Sequence, residues 1–205
     1  MVDNFLVAIV SVARTSVGLI MRPYETYRRL TQKANLWEAL SIWVILAIYF
    51  AAVSLVKTAA FLPFYLSRQF IVIFSASVGG YLLATVLLWV SARILGGKGS
   101  LRQVAVAWAY TLIPTLLWFW FAMLLWLILP PPRTTSVLGI GFSIVFIAIS
   151  TAILFWKILL SYLVLRFGMR LDLLRISIAF AIVIPILTFY SVVMFRMGIF
   201  KVPFI

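Results

Sequence analysis

Residues 69–92, QFIVIFSASVGGYLLATVLLWVSA, hold no charged side chain, and Arg68 and Arg93 close the run at its two ends. Wound as an α-helix the stretch is about 36 Å long, more than the roughly 30 Å hydrocarbon core of a bilayer. Its apolar residues do not alternate with polar ones, as the strands of a membrane barrel would require. It reads as a transmembrane helix. Four further runs answer the same description: Leu36 to Val56, broken only by Glu38 near its start; Leu101 to Leu129, with Arg102 at its edge; Ser136 to Trp156, continuing as helix to about Phe167; and Ile176 to Phe195. The expected fold class is an all-α integral membrane protein. A bundle of five transmembrane helices occupies 36–205, preceded over 1–35 by an amphipathic interfacial segment. The connections are too short to hold a soluble module.

Composition agrees that the solvent is lipid. Of the 205 residues 66% are apolar and 10% charged, where a soluble domain has roughly 45–50% and about 25%. Lys and Arg number 17 against 4 Asp and Glu, with no His and no Cys. Without imidazole or thiolate there is no such base, nucleophile, disulfide framework or Cys/His metal site, so no catalytic residue, cofactor or metal is expected. A formal charge of +13 would suit nucleic acid if the cations formed a block or a stripe. They stand between apolar runs instead, which points to anionic lipid headgroups and away from nucleic acid.

The same cations set an orientation. With the N-terminus in the cytoplasm, the inner segments carry Arg14, Arg22, Arg28, Arg29, Lys33, Arg93, Lys98, Arg102, Arg166, Arg170 and Arg175, and the outer ones only Lys57, Arg68, Arg133, Arg196 and Lys201. Eleven against five predicts a cytoplasmic N-terminus and an external C-terminus.

Residues 4–21 are long enough for a sixth span. However, Asn4, Ser11, Arg14, Thr15, Gly18 and Arg22 share one helical face, and an Arg near the middle of a span costs about 2.5–3.5 kcal/mol on insertion scales. An interfacial helix lying in the headgroups is the expectation. Asp3 stands where a signal peptide has its basic region, so a leader is not expected. Helix ends are marked by Gly96-Gly97-Lys98-Gly99-Ser100, with Ser100 and Gln103 as a capping box. Asn35 with Glu38 is a similar cap. Pro130-Pro131-Pro132 stops the third span, Gly168 the fourth, and Asp172 caps the fifth.

Three groups of residues are candidates for function. Arg22-Pro23-Tyr24-Glu25-Thr26-Tyr27-Arg28-Arg29-Leu30 reads as a short helix with Tyr24, Tyr27 and Leu30 on one face and a Glu25–Arg29 pair. Its Arg22, Tyr24, Tyr27, Arg28 and Arg29 would meet lipid headgroups or a partner. The glycine loop lacks the spacing and strand of a nucleotide site; with Lys98 and Arg102 it could hold a lipid phosphate, or be a plain tight connection. Glu38 and Lys157 are ionisable groups within apolar runs and so candidates for intramembrane function. Each also has a structural reading, Glu38 as a cap and Lys157 snorkelling inward. Pro114 and Pro185 should kink their spans, and Gly79-Gly80 should let helices pack closely.

The order of features resembles the Yip domain family of five-span membrane proteins, related to Ypt/Rab-interacting proteins. The resemblance lies in an Arg-Pro-x-x-Thr-x-Arg-Arg-Leu segment, a first span opening near Trp37, Gly96-Gly97-Lys98-Gly99-Ser100-Leu101-Arg102-Gln103, and Tyr110-Thr111-Leu112-Ile113-Pro114. It implies a multi-pass protein with a cytoplasmic N-terminus and no catalytic activity. Eukaryotic members act in vesicle traffic and bind Rab-type GTPases. A head of about 35 residues is far shorter than theirs, which argues against GTPase binding and for a prokaryotic plasma-membrane member.

The function expected is that of a non-enzymatic membrane organiser or accessory subunit of a membrane complex, a transport complex being one such, associated with another integral membrane protein or with its own copies. A small lipid or anion transporter or channel using Lys157 and the kinked spans is the alternative. An intramembrane enzyme would have to use Ser161, one turn after Lys157, as nucleophile with the amine as base.

Overall fold

A computed structural model of the chain describes residues 2–57, 63–128 and 137–199. Its helices, in order, are α1 (Val2–Met21), α2 (Pro23–Gln32), α3 (Leu36–Lys57), α4 (Pro63–Ile94), α5 (Leu101–Tyr110), α6 (Leu112–Ile128), α7 (Val137–Leu163), a π-helical turn (Val164–Gly168) and α8 (Leu173–Arg196). Five stretches are long and apolar enough to cross a membrane: Leu36–Leu55, Ser67–Ile94, Leu101–Leu125, Gly139–Gly168 and Leu173–Arg196. The protein is an all-α, multi-pass membrane protein. The expected Pro130-Pro131-Pro132 stop, and Arg133 and Lys201, lie outside the described residues.

The third span is two helices in succession. Pro114 has no N–H to give to the Tyr110 carbonyl, and the break falls at Thr111, whose hydroxyl donates to the Trp108 carbonyl at 2.7 Å. Pro185, by contrast, sits within a continuous α8. The glycine pair in α4 works as expected: beside it the Tyr190 hydroxyl of α8 donates to the Ala76 carbonyl at 2.7 Å, and a Cβ on Gly80 would lie 3.1 Å from the Tyr190 ring.

The core is gathered at one end of the bundle. Tyr27, Val104, Val106, Tyr110, Leu160, Leu165, Met169, Leu171 and Ile176 are fully buried there, contributed by α2, α5, the end of α7, the π turn and the start of α8. Arg28, Arg29, Arg102, Arg166, Arg170 and Arg175 belong to these segments or the turns joining them, with Arg93 and Lys98 at the end of α4 and in the loop to α5, and we call it the basic end. Away from it the helices turn apolar side chains outward, as Ile140, Ile144, Ile147, Phe155 and Ile158 do on α7. Lipid tails are as apolar as these side chains, so exposing them there costs nothing. Burial is concentrated where helix ends and loops carry polar backbone.

In α1 the polar face is divided, with Arg14 exposed and its smaller members turned inward. Ala8, Val12 and Leu19 are buried, and Ser11, Thr15 and Gly18, from the polar face, are half-buried beside them. A Cβ on Gly18 would lie 2.8 Å from the Thr26 hydroxyl of α2, and the Ser11 hydroxyl donates to Glu38 of α3 at 2.8 Å. The exposed arc is apolar: Leu6, Val7, Val10, Val17 and Ile20. The small and polar residues pack against the bundle because they let α2 and α3 approach and because Glu38 needs a donor.

Candidate functional site

The basic end is assembled around the loop between α4 and α5. Gly96 stands at φ 87°, where glycine is unstrained, and the Gly96 and Gly97 amides donate back to the Arg93 and Ala92 carbonyls at 3.1 and 2.8 Å, the Schellman pattern. Ser100 then opens α5 with the expected capping box: the Gln103 amide donates to the Ser100 hydroxyl at 3.3 Å and the Ser100 amide to the Gln103 side-chain oxygen at 2.9 Å. The other end of the Gln103 side chain donates to the Thr31 carbonyl at 3.0 Å, tying α5 to α2. The Lys98 amide donates to the Met169 carbonyl at 3.1 Å. Gly99 lies so close to the turn after α7 that a Cβ there would stand 1.7 Å from the Gly168 carbonyl oxygen.

These bonds leave little of the glycine loop's backbone for a phosphate. The amides of Gly96, Gly97, Lys98 and Ser100 are all spent within the protein, and the side chains of Lys98 and Arg102 are exposed. The π turn ends differently from the expectation too. Gly168 is buried within it, and the residue in the left-handed region is Arg170, at φ 57°. Asp172 makes no side-chain cap for α8; its carboxylate accepts from Arg166 at 3.1 Å, and the same guanidinium nitrogen donates to the Leu171 carbonyl at 2.9 Å.

Between α2, the start of α5 and this turn lies a cavity of about 380 Å³, lined by Arg28, Thr31, Gln32, Gln103, Arg166 and Arg170 together with Phe167. Tyr24 stands edge-on to Phe167 at 4.6 Å between ring centres. Of the residues expected to meet headgroups or a partner, Arg28 therefore lines the cavity and Tyr24 flanks it. Arg22 is drawn to Glu25 at 3.8 Å, in place of the expected Glu25–Arg29 pair, and Arg29 is exposed. Tyr27 corrects the reading of that helix face: it is fully buried, and its hydroxyl donates to the Ala107 carbonyl at 3.2 Å, so it is a pin between α2 and α5 and not a surface contact. Burial, reinforced by Tyr110, pushes its phenol well above the usual range. Sequence reasoning passed over Thr31, Gln32, Arg166 and Arg170 as members of one site. The capping box at Gln103 was the one readable signal of its location.

The two intramembrane candidates are separate from this cavity. Glu38 is buried and accepts from the Ser11 hydroxyl at 2.8 Å and from the Tyr110 hydroxyl at 2.7 Å, joining α1, α3 and α5. It is not the reciprocal cap expected with Asn35. The Asn35 side chain accepts from the Trp37 amide at 3.1 Å on its own. Lys157 lines a second cavity of about 380 Å³, among Trp43, Tyr81, Trp108, Phe119 and Tyr190. It stands on the same helical run as Arg166, nine residues before it. The Ser161 hydroxyl donates to the Lys157 backbone carbonyl at 2.7 Å, and so is engaged by its own helix and not by the amine.

No curated protein matches the chain, and no solved structure does. The family model described as the Yip1 domain matches residues 17–195, which takes in the helix of Tyr27, the glycine loop, the capping box and all five spans. By that match the chain belongs to the Yip1 domain family.

Proposed function

We propose that the protein is a non-enzymatic organiser or accessory subunit of a membrane complex, set in a plasma membrane with its N-terminus and basic end in the cytoplasm and its C-terminus outside. The observation that carries this reading is the one-sided packing of α7. That helix packs on α6 and leads into the π turn, while Ile140, Ile144, Val145, Ile147, Leu154, Phe155 and Ile158 remain exposed along it. An apolar wall of that length, beside a well-packed basic end, suits lateral association with another integral membrane protein or with a second copy. Pull-down of the full chain from mild detergent, followed by mass spectrometry, tests it. Recovery of one membrane partner in stoichiometric amount, or a defined oligomer, is the expected result; a monodisperse lone chain in several detergents ends the proposal.

The Lys157 cavity favours a second reading, a small lipid or anion carrier. An amine among six aromatic side chains in mid-membrane provides a positive end and an apolar body for an amphipathic anion. Flux into liposomes, with Lys157→Leu as control, separates the two. Flux no greater than in empty vesicles removes the carrier.

A further inference from the structure

We propose that the cavity at the basic end is a binding site for the phosphate of an anionic lipid headgroup. Three arginines line it from three places in the fold: Arg28 from α2, Arg166 from the π turn and Arg170 from the turn after it. Thr31, Gln32 and Gln103 add neutral hydrogen-bonding groups between them. No carboxylate lines the cavity. Among the described residues, Arg166 is the one of the three with an acidic partner, and that partner, Asp172, is itself largely exposed. Arg28 and Arg170 have no such partner, so the cluster keeps a net positive charge that an anion bringing several acceptor oxygens would complete. A tetrahedral phosphate matches forked donors arriving from different directions better than a planar carboxylate does.

The backbone of Arg170 is the second observation. At φ 57° an L-residue with a Cβ is strained, and glycine is the residue the position favours. An arginine standing there holds its charge at the cavity at the expense of local stability.

The source of the phosphate follows from what borders the site. Leu173 and Leu174, just beyond Arg170, are exposed and apolar, and on the other side Tyr24 is exposed against Phe167. Aromatic and apolar groups beside cations are the arrangement found at the boundary of water and hydrocarbon, where lipid phosphates lie. The binding site does not depend on the accessory-subunit reading: a lone chain could hold the lipid, and a complex could form without it.

The test uses the full chain in nanodiscs of phosphatidylcholine containing phosphatidic acid, with native mass spectrometry counting the lipid retained on release. The expected result is retention of phosphatidic acid at least tenfold over phosphatidylcholine. Arg28→Gln and Arg170→Gly should each lower it about tenfold, the loss of one charge-assisted hydrogen bond. Arg196→Gln, exposed at the far end of α8, should change nothing. Arg170→Gly also guards against misfolding, because it relieves the left-handed strain and should melt no lower than the parent. A parallel arm adds inorganic phosphate to the detergent-purified protein. A melting shift with phosphate, lost in Arg170→Gly, together with no lipid preference would uphold the anion chemistry and overturn the lipid source. Equal retention of phosphatidic acid by parent, Arg28→Gln and Arg170→Gly overturns the site.

Discussion

Gly99→Ala is the sharpest test of how the basic end is built. The added methyl carbon would stand 1.7 Å from the Gly168 carbonyl oxygen, 2.8 Å from its carbon and 2.8 Å from the Met169 sulfur. A carbon and a carbonyl oxygen in ordinary contact are about 3.3–3.6 Å apart, so the two segments must part by nearly 2 Å. The methionine can swing aside, but the Gly168 carbonyl is backbone in a buried turn and cannot. Separation breaks the Lys98 amide bond to the Met169 carbonyl, 3.1 Å in the parent, at about 0.5–1.5 kcal/mol. Forced overpacking adds about 1–3 kcal/mol. Because the loop leads directly into the Ser100 cap, part of the roughly 1 kcal/mol held there is at risk as well. These contributions overlap, and a destabilisation of about 3 kcal/mol is expected. Thermal unfolding followed by tryptophan fluorescence in detergent measures it, with Gly141→Ala as the control, since a Cβ on Gly141 meets nothing within 4 Å. A melting temperature for Gly99→Ala equal to that of Gly141→Ala would refute the seating of the loop on the turn after α7.

Glu38→Ala should cost about 1–3 kcal/mol by stranding the Ser11 and Tyr110 hydroxyls, and Glu38→Gln, which keeps acceptor capacity, less; equal melting losses for the two would sink the account of a three-helix junction. Tyr27→Phe should cost about 1 kcal/mol through the lost bond to Ala107. Because the folded phenol titrates above its unfolded value near 10, Tyr27 contributes fully below about pH 10 and loses that contribution as pH rises through the folded value. Melting from pH 8 to 11 should therefore fall more steeply at the alkaline end for the parent than for Tyr27→Phe, and parallel curves would contradict this. Cysteines introduced at Lys98 or Arg170 should be labelled only from the cytoplasmic side, and at Arg133 or Lys201 only from outside; external labelling at position 98 would overturn the proposed orientation. Labelling at position 2 decides whether α1 lies along the membrane or crosses it.

What could be read without the structure was whatever depends on a run or a local spacing. The five spans follow from uninterrupted apolar length, and the Ser100 and Gln103 cap from a three-residue spacing, so both were legible. Tyr27 was misread because helical periodicity says which residues share a face but not whether that face meets lipid or protein. In a soluble chain apolar means inward; in a membrane chain that rule loses its sign. The inward turn of Ser11, Thr15 and Gly18 on α1 was illegible for the same reason. Arg166 and Arg170 are separated from Arg28 by most of the chain, and nothing local announces that a π turn followed by a left-handed arginine will bring them together.

The inward turn of the small polar residues of α1 and the placing of the core are two sides of one physical problem. Five long apolar helices gain little from burying one another's side chains in lipid, so hydrophobicity alone fixes neither their neighbours nor their register. Groups that lipid cannot satisfy must do it. At the basic end, Glu38 requires donors, the ends of α4, α5 and α7 present unpaired carbonyls and amides, and the break at Thr111, whose amide turns to the Trp108 carbonyl, releases the Ala107 carbonyl. Each need is met by a group on another segment: Ser11 and Tyr110 for Glu38, Lys98 for Met169, Gln103 for Thr31, Tyr27 for Ala107, Arg175 for Leu95. The result is a cross-linked polar frame around a tightly buried core, and the arginines of the cavity are mounted on it. A preorganised anion site belongs on such a frame, because a guanidinium held by packed backbone loses little freedom when its ligand arrives. The helices beyond have only lipid to satisfy, and they are left free to meet a partner.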